Sequence, residues 1–266
     1  MSNPLKFDWP QGVTPTAEYQ TAIDFVRNDE GHIFITGRAG TGKSTLLRSI
    51  RTLLGDKAVV LAPTGLAAVN VGGQTIHSFF GFPPRLIGPD DIRRSRNGKV
   101  MRKLDYLIID EISMVRSDVM WAIDQSLRIN RGRAREAFGG MRLILFGDLY
   151  QLPPVVRGDE AQILNDNYNG PFFFSISALS EGAGLQYLEL QKVFRQNDEV
   201  LLDVLNAIRS GEVTEHHIAV LNGRVNPIRT LSEGQSYVIL TPTNAAANRI
   251  NLAYLNALQG LSLIHI

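Results

Sequence analysis

Residues 37–44 read Gly-Arg-Ala-Gly-Thr-Gly-Lys-Ser, a glycine-rich turn closed by a lysine and a hydroxyl. Such a turn lets the backbone from Gly37 through Ala39, Gly40, Thr41 and Gly42 to Thr45 point its N–H groups inward at a phosphate. Lys43 adds a mobile charge for the terminal phosphates of a nucleotide. The Ser44 hydroxyl is a hard oxygen ligand suited to Mg²⁺. Such chemistry needs an acidic partner, and Leu107-Ile108-Ile109-Asp110-Glu111 supplies one at the end of an apolar run. Asp110 can hold the magnesium, directly or through water, and Glu111 is placed to polarise the attacking water. Phosphoryl transfer also needs a group that senses the γ-phosphate and positive charge for the transition state. Gln151, in Gly147–Pro154, can orient water or contact that phosphate. Arg195, in Phe194-Arg195-Gln196, suits an arginine finger reaching across an interdomain cleft, although a lone arginine is more often a surface ion-pair partner.

The elements that must hold these groups alternate in the manner of an α/β protein with a parallel sheet. Short apolar runs at His32–Thr36, Ala58–Ala62, Leu104–Ile109 and Leu143–Phe146 read as buried strands, with Phe172–Phe174 a further candidate. Thr14 reads as an N-cap with Pro15 at the first position of a helix running to about Arg27, a second helix runs over Lys43–Leu54, and Ser117 reads as the cap of a third reaching about Asn130. The glycine-rich turn therefore lies between a strand and a helix, whose positive dipole end faces the phosphate. Past about Ala183 the rhythm restarts, with a strand over Tyr187–Leu190, a helix over Asp198–Arg209, a strand over Tyr237–Leu240 and a helix over Asn244–Leu258.

Bulk composition narrows the class. The chain has 266 residues, 44% of them apolar and 20% charged, which is ordinary globular usage. The absence of cysteine excludes disulfides, a thiol nucleophile and cysteine-based metal sites. No apolar run is long enough for a membrane span, and the N-terminus lacks the apolar core of a signal peptide. A soluble protein of a reducing compartment is expected, cytoplasmic, or nucleoid or nuclear in a eukaryote. Net charge is only +1, yet it is unevenly placed. Seven basic residues lie between Arg85 and Lys103 against Asp90 and Asp91, and five arginines lie between Arg128 and Arg142 against Glu136. These runs suit phosphate neutralisation or a solvated face.

Several runs together resemble superfamily-one helicases, and specifically the Pif family of DNA helicases. FITGRAGTGKST is similar to motif I, IIDEISMV to motif II, AFGGMRLILFGDLYQLPPV to motif III with its lead-in, and LQKVFRQ to motif IV. LAPTGLAAVNVGGQTIHSFFG and LTPTNAAANRIN resemble two further family blocks, so the likeness runs from about Gln20 to Asn251. It implies a P-loop NTPase of the RecA-like type. Residues 1–183 would form the first RecA-like domain, with a small wedge-like insertion at about 79–103, and 184–266 an incomplete second one. The implied activity is ATP- and Mg²⁺-dependent translocation on single-stranded DNA, 5′ to 3′, with unwinding at fork and duplex junctions. Family roles lie in DNA repair, recombination and telomere maintenance, and a monomer is expected. Gln20 would read adenine; Gln151 and Arg195 would become the γ-phosphate sensor and arginine finger. Pro63, Thr64, His77, Phe79, Phe82 and Asn244 fall in blocks assigned to DNA, with Phe82-Pro83-Pro84 as the wedge. His77 and Phe79 equally suit a core, and the wedge a packed loop.

The likeness stops short of the family's later motifs, and Leu261–Ile266 does not resemble their continuation. The expectation is therefore a truncated product that binds nucleotide, turns it over weakly and does not unwind processively by itself. Rival readings are a helicase of RecD or Dda type, a non-catalytic ATP-gated single-strand binder, and a P-loop ATPase acting on protein partners.

Overall fold

The computed structural model describes residues 7–180, 184–194, 198–225 and 238–257. Its strands are β1 (His32–Gly37), β2 (Ala58–Ala62), β3 (Gln74–Thr75), β4 (Tyr106–Ile109), β5 (Arg142–Phe146) and β6 (Leu185–Leu190). They form one sheet in the order β3-β2-β4-β5-β1-β6, and every pairing is parallel. The helices are α1 (Ala17–Asn28), α2 (Lys43–Leu54), α3 (Gly65–Asn70), α4 (Ile76–Phe80), α5 (Gly98–Met101), α6 (Ser117–Arg131), α7 (Glu160–Tyr168), α8 (Glu199–Ser210), α9 (Glu215–Asn222) and α10 (Asn244–Ala257).

The apolar strands are buried on both faces, and the alternation of their side chains decides which helices they meet. Leu61, Leu107, Ile109, Leu143 and Leu145 pack with Met120, Ile123 and Leu127 of α6. Val60, Ile108, Ile144 and Phe146 turn the other way, onto Ile23 of α1 and Leu46, Leu47 and Ile50 of α2. Each of these three helices carries one apolar stripe, as burial against a sheet requires.

Some expected ends and elements move. Thr16, not Thr14, caps α1 by accepting from the N–H of Tyr19 at 3.2 Å. Ser117 is the first residue of α6 rather than its cap, and its hydroxyl donates to the Gly170 carbonyl at 2.7 Å. Phe173–Ser175 is a single 3₁₀ turn, touched by an isolated bridge from Arg116 to Phe172. Residues 238–240 form no strand; Tyr237 lies outside the described residues.

The largest change concerns the boundary placed at 183/184. The segment beyond it, β6, pairs with β1 along its whole length, from His32 with Leu185 to Gly37 with Leu190. The compact first unit therefore runs to Arg209, and a second begins at Ser210. A crossover can bring a late strand back beside an early one, as β6 returns to β1, so a restart of the pattern does not mark a domain edge. The described part of the second unit comprises α9 and α10, whose Ile218, Leu252 and Tyr254 are exposed.

Phe82 of the expected wedge is core, while Pro83 is half-buried and Pro84 exposed. Phe80 stacks on Phe82 at 5.1 Å and meets Phe79 edge-on at 4.9 Å, and all three are buried together with Ile87. The following basic run is tied to α6 through Asn130. Its side-chain oxygen accepts from Ser95 N–H at 2.8 Å, and its backbone carbonyl accepts from Arg102 at 3.0 Å. Phe82→Ala is thus expected to lower stability by about 3 kcal/mol, as large-to-small core changes do. Denaturant unfolding measures it, and an unchanged midpoint would contradict the buried placement.

His32 opens β1 half-buried. Burial and then the Arg142 charge push its imidazole down to about 4, and Nδ1 accepts the Leu143 N–H at 3.1 Å. The unfolded chain would bind a proton near pH 6.5 that the folded chain refuses. Stability should therefore fall as pH drops from about 6.5 to about 4, and His32→Leu should flatten that part of the curve in pH-dependent unfolding.

Candidate functional site

The turn after β1 is held by its own glycines. Gly37, Gly40 and Gly42 have φ of 151°, 82° and 83°. A Cβ at Gly37 would lie 2.6 Å from the Leu190 carbonyl, and one at Gly42 would lie 1.9 Å from the Tyr19 hydroxyl. No side chain caps α2 at Gly42, which leaves the helix's positive end to the loop. Lys43 Nζ donates to the carbonyls of Gly37 at 2.6 Å and Arg38 at 3.2 Å. Burial lowers its pKa, against the pull of Asp148, Glu111 and Asp110.

Tyr19, which sequence reasoning passed over, supports this loop. Its hydroxyl donates to the carbonyls of Gly42 at 2.9 Å and Thr41 at 3.3 Å. Burial pushes the phenol up to about 12, so it stays a donor. Gln20, next along α1, is exposed and donates to Asp24 at 2.9 Å. The Phe194 N–H donates to the Gly40 carbonyl at 2.9 Å, bringing the motif-IV-like segment onto the loop. Arg195 itself lies outside the described residues.

Sheet order brings the remaining groups alongside. β5 lies between β1 and β4, with Phe146 opposite Ile35 and Leu145 opposite Ile109. The carboxyl ends of β1, β4 and β5 thus deliver the glycine loop, Asp110-Glu111 and Asp148 side by side, where open parallel sheets bind ligands. Asp110 is buried, and burial followed by the Glu111 charge raises its pKa to about 6. Glu111 adopts the left-handed conformation, φ 51°, a cost that a functional turn can carry. Gly147 makes room for this turn, since a Cβ there would lie 2.9 Å from Ile112 Cγ2. Ser113, in the same turn, has a buried hydroxyl without a partner among the described residues.

Asp148 was not singled out by the sequence, yet it is almost fully buried, at 1% exposure. Its carboxylate accepts from Gln151 Nε2 at 3.1 Å and from the Tyr150 N–H at 3.1 Å. It also pairs with Arg209 of α8, whose guanidinium lies 4.2 Å from the Tyr150 ring centroid. No local spacing could have joined Asp148 to an arginine about sixty positions later.

The residues expected on a DNA track separate into three groups. Pro63, Thr64 and His77 meet in a cleft of 320 Å³, with Arg85, Arg116, Arg157 and Glu160 also on its walls. It lies past the carboxyl end of β2, the neighbour of β4. Thr64 Oγ1 also caps α3 by accepting from Ala67 N–H at 3.3 Å. Burial and Arg116 lower the pKa of His77, favouring the neutral ring. Phe79 and Phe82 are packed in the core rather than exposed to a strand. Asn244 opens α10 in the second unit, exposed.

The model of the family described as PIF1-like helicase matches residues 16–227. This chain belongs to that family. It is 35% identical to the ATP-dependent DNA helicase RRM3 of Saccharomyces cerevisiae, covering 94% of this chain and 34% of that protein. It is 36% identical to the ATP-dependent DNA helicase Pif1 of Bdellovibrio bacteriovorus, covering 78% of this chain and 46% of that one. A crystal structure of a Bacteroides Pif1 helicase with ADP-AlF3 and single-stranded DNA superposes with a TM-score of 0.86 at 37% identity, over 94% of this chain and 58% of that chain. The parallel sheet is thus the RecA-like fold of PIF1-like helicases, and the chain spans between a third and a half of the two curated relatives' length.

Proposed function

We propose that this chain binds and hydrolyses ATP in response to single-stranded DNA, as the motor portion of an ATP-dependent DNA helicase. One observation carries the reading furthest: a phosphate-type loop and an arginine-bearing cleft open on the same carboxyl edge of one sheet. Gly37–Thr45 would cradle the phosphates, and Gln20, beside Tyr19, the adenine. Ser44 and Asp110 would hold Mg²⁺, which supplies charge to the phosphate oxygens. Glu111 takes the proton from water, Gln151 orients it, and Arg195 answers the charge that develops. Pro63, Thr64 and His77 contact the strand, and Arg85 and Arg157 its phosphates. Residues from Ser210 on open a second RecA-like domain, in which Asn244 contacts single-stranded DNA.

The relatives named as helicases and the neighbour crystallised with ADP-AlF3 and single-stranded DNA support this reading. The test is ATP turnover against rising single-stranded DNA at two salt concentrations. Turnover that climbs with DNA, at a half-point that weakens with salt, is expected. DNA binding without turnover would make the chain an ATP-gated binder. Turnover indifferent to DNA would overturn the proposal in favour of an ATPase with other partners.

A further inference from the structure

The Asp148–Arg209 pair is placed where neither a phosphate cradle nor a magnesium site requires it. Asp148 is a carboxylate at the carboxyl end of β5, between the glycine loop and Asp110, where polyphosphate would raise the cost of another negative charge. Burial adds to that cost unless the charge is paired. Arg209 meets it with a charged hydrogen bond and lays its guanidinium on Tyr150. The same carboxylate oxygen accepts from Gln151 Nε2. A carboxylate only accepts, so the Gln151 amide must turn its nitrogen toward Asp148 and leave Oε1 directed away from it.

We propose that Arg209 is a positioning residue that acts through Asp148 to fix the Gln151 amide with its carbonyl oxygen toward the nucleotide's attacking water. This rests on the reading of the loop as an ATP site. An oxygen so directed accepts a hydrogen from water. Gln151 then works as the group that aligns the nucleophile, and one of its amide hydrogens stays committed to Asp148. Arg209 neutralises the buried carboxylate, and the Tyr150 ring beneath it restricts where the guanidinium can go. Lysine would retain the charge but not the fork or the stack.

The experiment compares affinities for ADP and for ADP with aluminium fluoride, by fluorescent-nucleotide displacement on the full chain, so it does not depend on turnover. The wild type should bind the aluminium fluoride complex at least tenfold more tightly than ADP. Arg209→Ala should shrink that ratio about tenfold and leave ADP affinity within threefold. Gln151→Ala should do the same, and the double variant should lose no more than the worse single. Arg209→Lys should fall between, with its folding checked by circular dichroism. A wild type that binds no nucleotide would sink the ATP reading itself. A wild type that binds nucleotide without preferring the fluoride complex overturns only the positioning role. So does an Arg209→Lys or Arg209→Ala chain that keeps the full ratio, or a double variant whose losses multiply.

Discussion

Lys43→Ala is expected to lose both nucleotide binding and turnover, whereas Glu111→Gln should keep binding and lose turnover. Lys43 is half-buried at the start of α2, with Asp148, Glu111 and Asp110 all drawing on its charge. Removing it leaves three carboxylates facing the phosphates with one cation fewer. Loss of a charge that answers phosphate costs on the order of 10²–10³ in rate, and binding should weaken with it. Glu111→Gln keeps the shape of the turn and removes a negative charge from beside Asp110, so affinity should hold or improve. Its turnover should fall by about 10²-fold or more, since an amide cannot take the proton. Nucleotide titration beside a phosphate-release assay separates the two. Equal loss of binding in both variants would contradict the assignment of Glu111.

Gly42→Ala should be strongly damaging for the addition of a single methyl. Two costs coincide there. The residue has φ 83°, which a side chain adopts at a cost of about 1–2 kcal/mol. Its Cβ would also stand 1.9 Å from the Tyr19 hydroxyl, so α1 or the loop must shift. A total loss above about 2 kcal/mol is expected, together with weakened nucleotide binding. Adding Tyr19→Phe removes the clashing oxygen and should recover part of the stability. By itself Tyr19→Phe gives up its two bonds to the loop, a cost of about 1 kcal/mol. The measurement is chemical unfolding of the three variants. If the double variant is no more stable than Gly42→Ala, the steric account fails and the backbone conformation alone explains the loss.

Legibility of the site followed the reach of each interaction. The placement of the glycine loop between β1 and α2, and of Asp110-Glu111 at the end of β4, was readable because each lies within a few residues of one strand end. The sheet was readable as parallel because its strands are apolar on both faces. Tyr19, Asp148 and Arg209 were not, because each acquires its role from a contact across the fold: a phenol and an aspartate look alike in sequence whether or not a loop rests on them. Phe82 misled for a related reason. An aromatic followed by two prolines suits an exposed wedge and a stacked core turn equally, and only Phe80 on its face decides. Assigning Leu185–Leu190 to a second domain failed because the partner of that strand, β1, lies at the other end of the first.

The strand order has a consequence for how the chain comes to be folded. β1, which carries the phosphate loop, pairs with no strand near it in sequence: its neighbours are β5 and β6, the first of them about 110 residues further on. At synthesis rates of roughly 5–20 residues per second, β1 waits on the order of 6–22 s for its first partner. Meanwhile β2 and β4, themselves about 50 residues apart, can pair with each other and must not capture β1 in between. The proposed nucleotide site is encoded early and assembled late, so ligands that bind it would report on completion of the sheet rather than on its nucleation.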